Sequence, residues 1–196
     1  MPDPQGIISY PGLRTLPGVG FTLSHGIRPS TANLRCSTVS TQLPETADMV
    51  ISYGRQRIVF RDCRVTSTQQ QSRGLSWNVQ IQDRRWRWQF GSIAGAYKQR
   101  TAEGKVDRAT ERTPQELAKL CLEAMGETRF EVGQLPNETR PEVSWQWANP
   151  AVELDKICQA LQCRVVLGID DRVKLVRINA GKRLETTPNV FVEGPT

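Results

Sequence analysis

Few residues in this sequence could do chemistry, and their spacing forms no catalytic pattern. His25 is the only histidine, and no GxSxG or GxxxxGK[ST] motif supplies a nucleophile or a phosphate-binding loop. The neighbouring carboxylates Asp170 and Asp171 follow Gly168, a combination more typical of a β-turn than of acid–base catalysis. We therefore predict a protein that is not an enzyme, with no catalytic residue and no cofactor.

The five cysteines predict neither a metal centre nor a disulfide framework. Their number is odd, none belongs to a CxxC pair, and one histidine leaves almost no material for a Cys/His zinc site. Cys121 and Cys158 fall on the apolar faces of predicted helices, where a free thiol acts as a small hydrophobic side chain. We expect reduced thiols in the core and no metal.

The charge is concentrated in one stretch of the chain. The 196 residues carry a net charge of +6, whereas residues 51–112 alone hold 13 Lys and Arg against five Asp and Glu, a net +8. An arginine-dominated segment of this kind predicts contact with nucleic acid or with an acidic protein surface. A solvated polar face of a sheet is the alternative.

Aromatic residues lie within this basic stretch and again near residue 146. Residues 75–81 alternate as a half-buried strand does, residues 83–84 resemble a turn, and residues 85–90 alternate again, which together predict a hairpin with one aromatic and one basic face. Such tryptophans could stack on nucleic-acid bases, but core or interface anchoring is the favoured interpretation. The candidate interface residues are Arg84, Arg85, Trp86, Arg87, Trp88, Trp145 and Trp147.

Strand signals dominate up to residue 90 and predict a small antiparallel barrel. Residues 1–20, with four Pro and four Gly, predict an irregular arm. A strand around 49–53 is followed by a run over 56–66, in which the apolar phase changes after Phe60 and indicates a bulge. Residues 66–74 predict a polar loop tip. Four or five strands of this kind suit a strongly curved sheet or barrel.

Helical spacing begins near residue 110. Thr113, Pro114 and Glu116 form a capping-box sequence before an apolar helix that ends at Gly126, and Asn149 with Pro150 opens a second helix. Strands are predicted over 129–132 and 142–147, a hairpin over 164–178, and a last strand over 190–192. The fold class is therefore α+β: an arm over 1–20, a β-barrel domain over 21–110, and an α+β domain with two capped helices and a terminal hairpin over 111–196.

Targeting and membrane signals are missing from the sequence. No apolar run approaches the roughly 20 residues of a membrane span, and the first residues lack the basic and apolar regions of a signal peptide. We expect a soluble protein made in the cytosol, without a membrane partner.

The second half resembles the baseplate hub or tail-tip proteins of phages and the related spike proteins of contractile injection systems. The resemblance is carried by the helix over 113–126, the strand over 143–147, the helix leading to Cys163 and the hairpin closing at 173–176. The strand run over 49–90 is similar to the first barrel of these hubs. Hubs usually continue into a second barrel, so we expect a shortened hub or part of a longer product.

The resemblance implies a structural virion protein at the tail tip, made in the host cytoplasm and lacking catalytic residues. It implies a homotrimer whose barrels form a ring under a hexameric tail tube, with other tail proteins as partners and DNA as a transient passenger. The basic 51–112 segment would then meet acidic neighbouring subunits or face outward, because a basic channel wall would retain DNA. The alternative is a basic nucleic-acid-binding β-barrel module, with Arg85, Trp86, Arg87 and Trp88 as its face.

Overall fold

Seven strands of the first half form one antiparallel sheet. The computed structural model describes residues 7–16, 20–53, 55–71 and 76–179. The strands run in the order β1-β5-β6-β7-β4-β2, with β3 also paired to β4. Their bounds are β1 (Ile7–Ser9), β2 (Leu13–Thr15), β3 (Gly20–Thr22), β4 (Thr31–Val39), β5 (Ala47–Tyr53), β6 (Gln56–Gln70) and β7 (Trp77–Gln82).

A turn near the start of the chain brings the two ends of this sheet together. β1 and β2 occupy opposite ends of the strand order, yet only three residues separate them in sequence. The turn is closed by the Leu13 N–H, which donates to the Tyr10 carbonyl at 3.2 Å, and Gly12 supplies a φ of +79°. The sheet is therefore a nearly closed barrel. The irregular arm predicted here is wrong in this respect, because Ile8 and Tyr10 are buried in the barrel core.

The bulge predicted in the long strand is confirmed. Met49 lies opposite Phe60, whereas Ala47 lies opposite Cys63, so β6 holds one extra residue between these pairs. Asp62 absorbs it with a φ of +53°. A polar loop tip was expected over residues 66–74. Instead β6 continues to Gln70, and its residues 64–70 pair with β7.

The second strand of the predicted aromatic hairpin is wrong. Residues Arg84–Phe90 form a 3-10 helix, not a strand. Asp83 caps it, since its Oδ1 accepts from the Arg85 backbone N–H at 2.9 Å. The alternation of Trp with Arg is typical of a strand. In the 3-10 helix, however, the guanidinium groups of the two buried arginines, Arg84 and Arg85, reach their hydrogen-bond partners.

The two helices and the hairpin predicted for the second half are confirmed, whereas the strand over residues 93–97 was not predicted. α1 (Pro114–Ala124) begins at a capping box on Thr113, and α2 (Pro150–Ala160) is capped by Asn149. β8 (Ile93–Tyr97) pairs with β10 (Val143–Ala148), and β12 (Val173–Arg177) lies between β11 (Cys163–Leu167) and β9 (Phe130–Glu131). The predicted strand over 190–192 lies outside the described residues.

One continuous core joins the barrel to the helices, so the fold class is α+β as predicted. Leu117, Leu122, Leu154 and Val165 are fully buried in the same apolar cluster as the barrel residue Ile81. All five cysteines are free and buried, as expected. The division into arm, barrel domain and α+β domain stays a prediction. Within the described residues, no helix is long and apolar enough to cross a membrane.

We expect Gly12→Ala to destabilise the barrel by about 1–2 kcal/mol, because a left-handed backbone is costly for a residue with a Cβ. The added Cβ would also lie 2.9 Å from Leu43 Cδ2. Gly20→Ala is the matched control, since its Cβ meets nothing within 4 Å. Urea unfolding of both variants measures the difference. Equal losses at the two positions would contradict this role of the turn.

Glu116→Gln should lower stability at neutral pH and not in acid. The Thr113 N–H donates to Glu116 Oε2 at 2.7 Å and lowers the pKa of Glu116 below its ordinary value. A depressed carboxyl pKa stabilises the fold above the ordinary pKa, and that contribution is lost as the pH falls through the depressed value. Thermal unfolding of both proteins across this range measures it. A difference that does not change with pH would exclude a contribution from the Glu116 charge.

Candidate functional interface

The structure does not bring the seven predicted interface side chains to one face. Each belongs to the 3-10 helix or to β10, and the backbone of both segments departs from the strand geometry that the prediction assumed. Four of them are buried in the protein interior: Arg84, Arg85, Trp88 and Trp145. Trp86 and Arg87 are half-buried, and Trp147 is exposed.

Arg84 is a buried connector between three distant segments. Its Nε donates to both carboxylate oxygens of Glu127, at 3.1 and 3.0 Å, and its guanidinium also pairs with Asp171. The third guanidinium nitrogen, Nη2, donates to the Asp171 carbonyl at 3.0 Å. Burial alone would lower the pKa of Arg84, but the two carboxylates raise it above its ordinary value, so the side chain remains charged.

Arg85 performs a similar task on the barrel side. Its guanidinium pairs with Asp83 at 2.7 Å and donates to Ser30 Oγ at 2.8 Å. It also donates to the carbonyls of Gly26, at 2.8 Å, and Ser24, at 3.1 Å. Every one of these partners lies in the segment before β4 or directly before the 3-10 helix. Arg85 is therefore a structural residue and offers no charge to a partner.

The carboxylates that bind Arg84 lie far from it in sequence. Glu127 follows the end of α1, and its Oε1 also accepts from the Trp88 indole at 3.0 Å. Asp171 lies in the β11–β12 turn at a φ of +57°, so its role is structural, as the turn interpretation predicted. No local spacing in the sequence links these residues to Arg84. The only signal was an acidic residue beside a turn in each case.

Trp86 is the centre of a partly exposed stack. The Arg64 guanidinium carbon lies 4.6 Å from the Trp86 ring centroid, and the Phe90 ring packs edge-on with centroids 6.1 Å apart. The indole N–H donates to the Asp62 carbonyl at 3.1 Å, which fixes the ring. Phe90 is 70% exposed. Phe90 and Arg64 were not among the predicted interface residues, although both follow the apolar and basic patterns of their segments.

Trp145 and Trp147 do not share a face, contrary to the prediction. Trp145 is buried, donates to Glu153 Oε2 at 3.1 Å and packs edge-on against Tyr97 at 5.4 Å. A shift of register between Trp145 and Ala148 inserts one extra residue into β10. Trp147 then adopts a φ of +53° and is 81% exposed.

The basic residues of the 51–112 segment likewise do not form one surface. Two arginines of this segment are buried ion-pair partners, as described above. A second group extends from β8 as a hairpin over residues 98–110, held by backbone bonds such as Thr101 N–H to the Lys105 carbonyl at 2.8 Å. Arg57 and Arg61 are exposed on β6, in the barrel. The single basic face that the sequence suggested is therefore divided between separate parts of the surface.

Metal binding finds no support in this arrangement. Across the described parts of the chain, no group of three or more His, Cys, Asp or Glu side chains is placed to hold a metal ion. His25, the single histidine, lies on the surface beside β11.

The fold is shared with two prophage tail proteins. The 43 kDa tail protein of prophage MuSo2 from Shewanella oneidensis matches with a TM-score of 0.57 at 10% identity, covering 88% of this chain and 54% of that protein. A tail protein from Neisseria meningitidis MC58 matches with a TM-score of 0.56 at 10% identity, covering 88% and 50%. The chain spans about half the length of both. No family model matches the sequence, and no curated protein matches it.

We expect Arg84→Met to cost about 3–5 kcal/mol, because it leaves the buried Glu127 and Asp171 carboxylates without their main counter-charge. Arg172→Met is the control. Its exposed pair with Glu131, at 3.3 Å, should contribute less than about 1 kcal/mol. Denaturant unfolding measures both. Similar small losses in the two variants would show that Arg84 does not hold the segments together.

Proposed function

We propose that this protein is a structural virion protein of a phage tail tip, a baseplate hub that forms a trimeric ring. In this role it joins the hexameric tail tube to the distal tip, lets DNA pass, and carries out no chemical reaction. The observation that carries the proposal is the fold. This chain forms a nearly closed barrel followed by two capped helices and a hairpin, and 88% of it matches each of the two prophage tail proteins, with TM-scores of 0.57 and 0.56.

The surface supports assembly more than catalysis. Several large apolar side chains are exposed on the described part of the chain, where they are available for contact with other proteins. They include Phe90 at 70%, Trp147 at 81% and Ile169 at 69% exposed. The partners we propose are further copies of this chain and other tail proteins, and the location is the virion tail tip after synthesis in the host cytoplasm.

A nucleic-acid-binding module is the second candidate, and one observation favours it. The stack of Arg64, Trp86 and Phe90 presents a cation and aromatic rings together. Proteins that bind single-stranded nucleic acids use this combination to contact phosphates and stack on bases. Arg85 and Trp88, which the sequence assigned to this face, are buried and contribute nothing to it. The candidate face is therefore smaller than the sequence suggested.

Light scattering of the purified protein separates the two candidates. The hub proposal predicts a particle of three chains of 22.1 kDa that persists in high salt and ignores a short single-stranded DNA. Nucleic-acid binding predicts a monomer that binds the DNA. Its affinity should fall steeply as the salt concentration rises, with a linear relation between the two logarithms. In that case Trp86→Ala should reduce binding at least tenfold. A salt-resistant monomer that ignores DNA would contradict both.

A further inference from the structure

A groove opens where the barrel meets the helical half of the molecule. It lies between the loop that leads into β4, the 3-10 helix and the start of α2, and its volume is about 320 Å³. Ile27, Pro29, Ala151 and Val152 give it an apolar lining beside Trp86, and none of the residues that line it is acidic. This junction is therefore a concave, apolar part of the surface without negative charge.

Two side chains hold the walls of the groove in place. Arg85 donates to the Gly26 carbonyl at 2.8 Å and so ties the loop before β4 to the 3-10 helix. Asn149 caps α2, and its Nδ2 donates to the Gln89 carbonyl at 3.2 Å, which ties the start of α2 to the same 3-10 helix. Because the walls are fixed before a partner arrives, binding here orders little of the chain and loses little conformational entropy.

Trp86 joins this groove to the partly exposed stack described above. It lines the groove, its ring packs against Phe90 with centroids 6.1 Å apart, and the Arg64 guanidinium carbon lies 4.6 Å from its ring centroid. Phe90 is 70% exposed, and Val152 on the α2 wall is 43% exposed. The groove and the stack are therefore continuous through Trp86. We call them together the Trp86 surface, which consists of the groove lining, Arg64 and Phe90.

The Trp86 surface carries positive charge that the chain does not neutralise. Arg28 is exposed at the groove, and Arg64 is half-buried over Trp86. Within the described ranges neither arginine forms an ion pair with a carboxylate. Asp62, whose carbonyl accepts from the Trp86 indole, has its carboxylate 3.7 Å from Arg87 and pairs with that residue instead. Carboxylates on a partner would therefore meet two available guanidinium groups, and guanidinium groups bind carboxylates through two parallel hydrogen bonds.

The shape of the Trp86 surface favours a protein segment over a nucleic-acid strand. A base stacks on a free ring face, but Arg64 covers one face of Trp86, and the Phe90 ring meets it at an interplanar angle of 70°. Aliphatic side chains such as Ile27 and Val152 offer no ring for stacking, whereas they suit the apolar side chains of a protein. An engineered apolar cavity of roughly 150 Å³ holds one benzene molecule, so the groove has room for about two apolar side chains. Tryptophan and arginine together are also typical of the centres of protein interfaces.

We propose that the Trp86 surface binds an acidic, apolar segment of another tail protein. One or two apolar side chains of that segment enter the groove, and its carboxylates pair with Arg28 and Arg64. This inference rests on the proposed function, because it takes the partner to be a different protein of the tail, but it does not depend on the trimer.

Selection of short random peptides displayed on yeast tests this proposal, with the purified protein as the labelled target. Enriched peptides should combine an aromatic or aliphatic side chain with neighbouring Asp or Glu. Val152→Glu and Arg28→Glu should each weaken the binding of an enriched peptide about tenfold or more. The first places a carboxylate in the groove, and the second replaces a guanidinium group with a charge that repels the peptide.

Neither variant should unfold the protein, and each has a matched control. Val152 is the third residue of α2, where the helix dipole favours an acidic side chain, and the Arg28 side chain is exposed. Ile169→Glu and Arg57→Glu make the same changes at exposed positions that do not belong to the Trp86 surface. Both controls should bind the peptide as the unmodified protein does. Circular dichroism and urea unfolding verify that all of these variants are folded.

Several outcomes overturn the inference. They are a selection that enriches nothing, enriched peptides without acidic residues, and peptides that bind the Val152→Glu and Arg28→Glu variants as tightly as the unmodified protein. A single-stranded DNA that displaces the peptides, and fails to do so with Trp86→Ala, would assign the surface to nucleic acid. Enriched peptides that match this chain's own sequence would make a further copy the partner, which also overturns the inference.

Light scattering keeps this inference separate from the proposed function. A trimer that binds no peptide leaves the hub standing and overturns the inference. A monomer that binds acidic, apolar peptides through the Trp86 surface contradicts the trimeric ring and supports the inference.

Discussion

Two adjacent arginines, buried and pointing into different halves of the molecule, hold this structure together. Arg84 reaches the carboxylates after α1 and in the β11–β12 turn, whereas Arg85 reaches the segment before β4. Removing two guanidinium groups from water is costly unless every donor finds a partner, and here carboxylates or carbonyls meet both groups. The direction of the chain at residues 83–90 follows from this requirement.

The same requirement positions the surfaces that could contact partners. The 3-10 helix that places Arg84 and Arg85 inside also leaves Phe90 outside and puts the Trp88 and Gln89 carbonyls within reach of Asn149. On the barrel side, Arg85 fixes the segment at Gly26, whose N–H donates to the Val165 carbonyl of β11 at 2.7 Å. Barrel, helices and terminal hairpin are therefore linked by polar contacts as well as by the shared apolar core.

How far the sequence predicts this fold depends on how local each signal is. Both helices were predictable, because Thr113 and Asn149 form their caps with residues two or three positions away. The β6 bulge was visible as a change of apolar phase. Alternation alone could not reveal the 3-10 helix, because one of the contacts that its buried arginines make, the ion pair between Arg84 and Asp171, joins residues 87 apart. The candidate site was therefore predicted least well. Its basic and aromatic residues were identified, but their burial was not.

The way the barrel closes has a consequence for the order of events on the ribosome. β1 leaves the ribosome first but pairs with β5, since Ile8 lies opposite Ile51. Arg84 must wait for Asp171. Pairings so distant in sequence involve a large loss of chain entropy before any contact forms, and they slow folding. The nascent barrel therefore carries one unmatched interior cation, Arg84, until Glu127 and then Asp171 of the β11–β12 turn emerge, whereas the partners of Arg85 all precede it in the chain. Docking of the β11–β12 hairpin is therefore a late step of folding, and the ion pair between Arg84 and Asp171 forms only then.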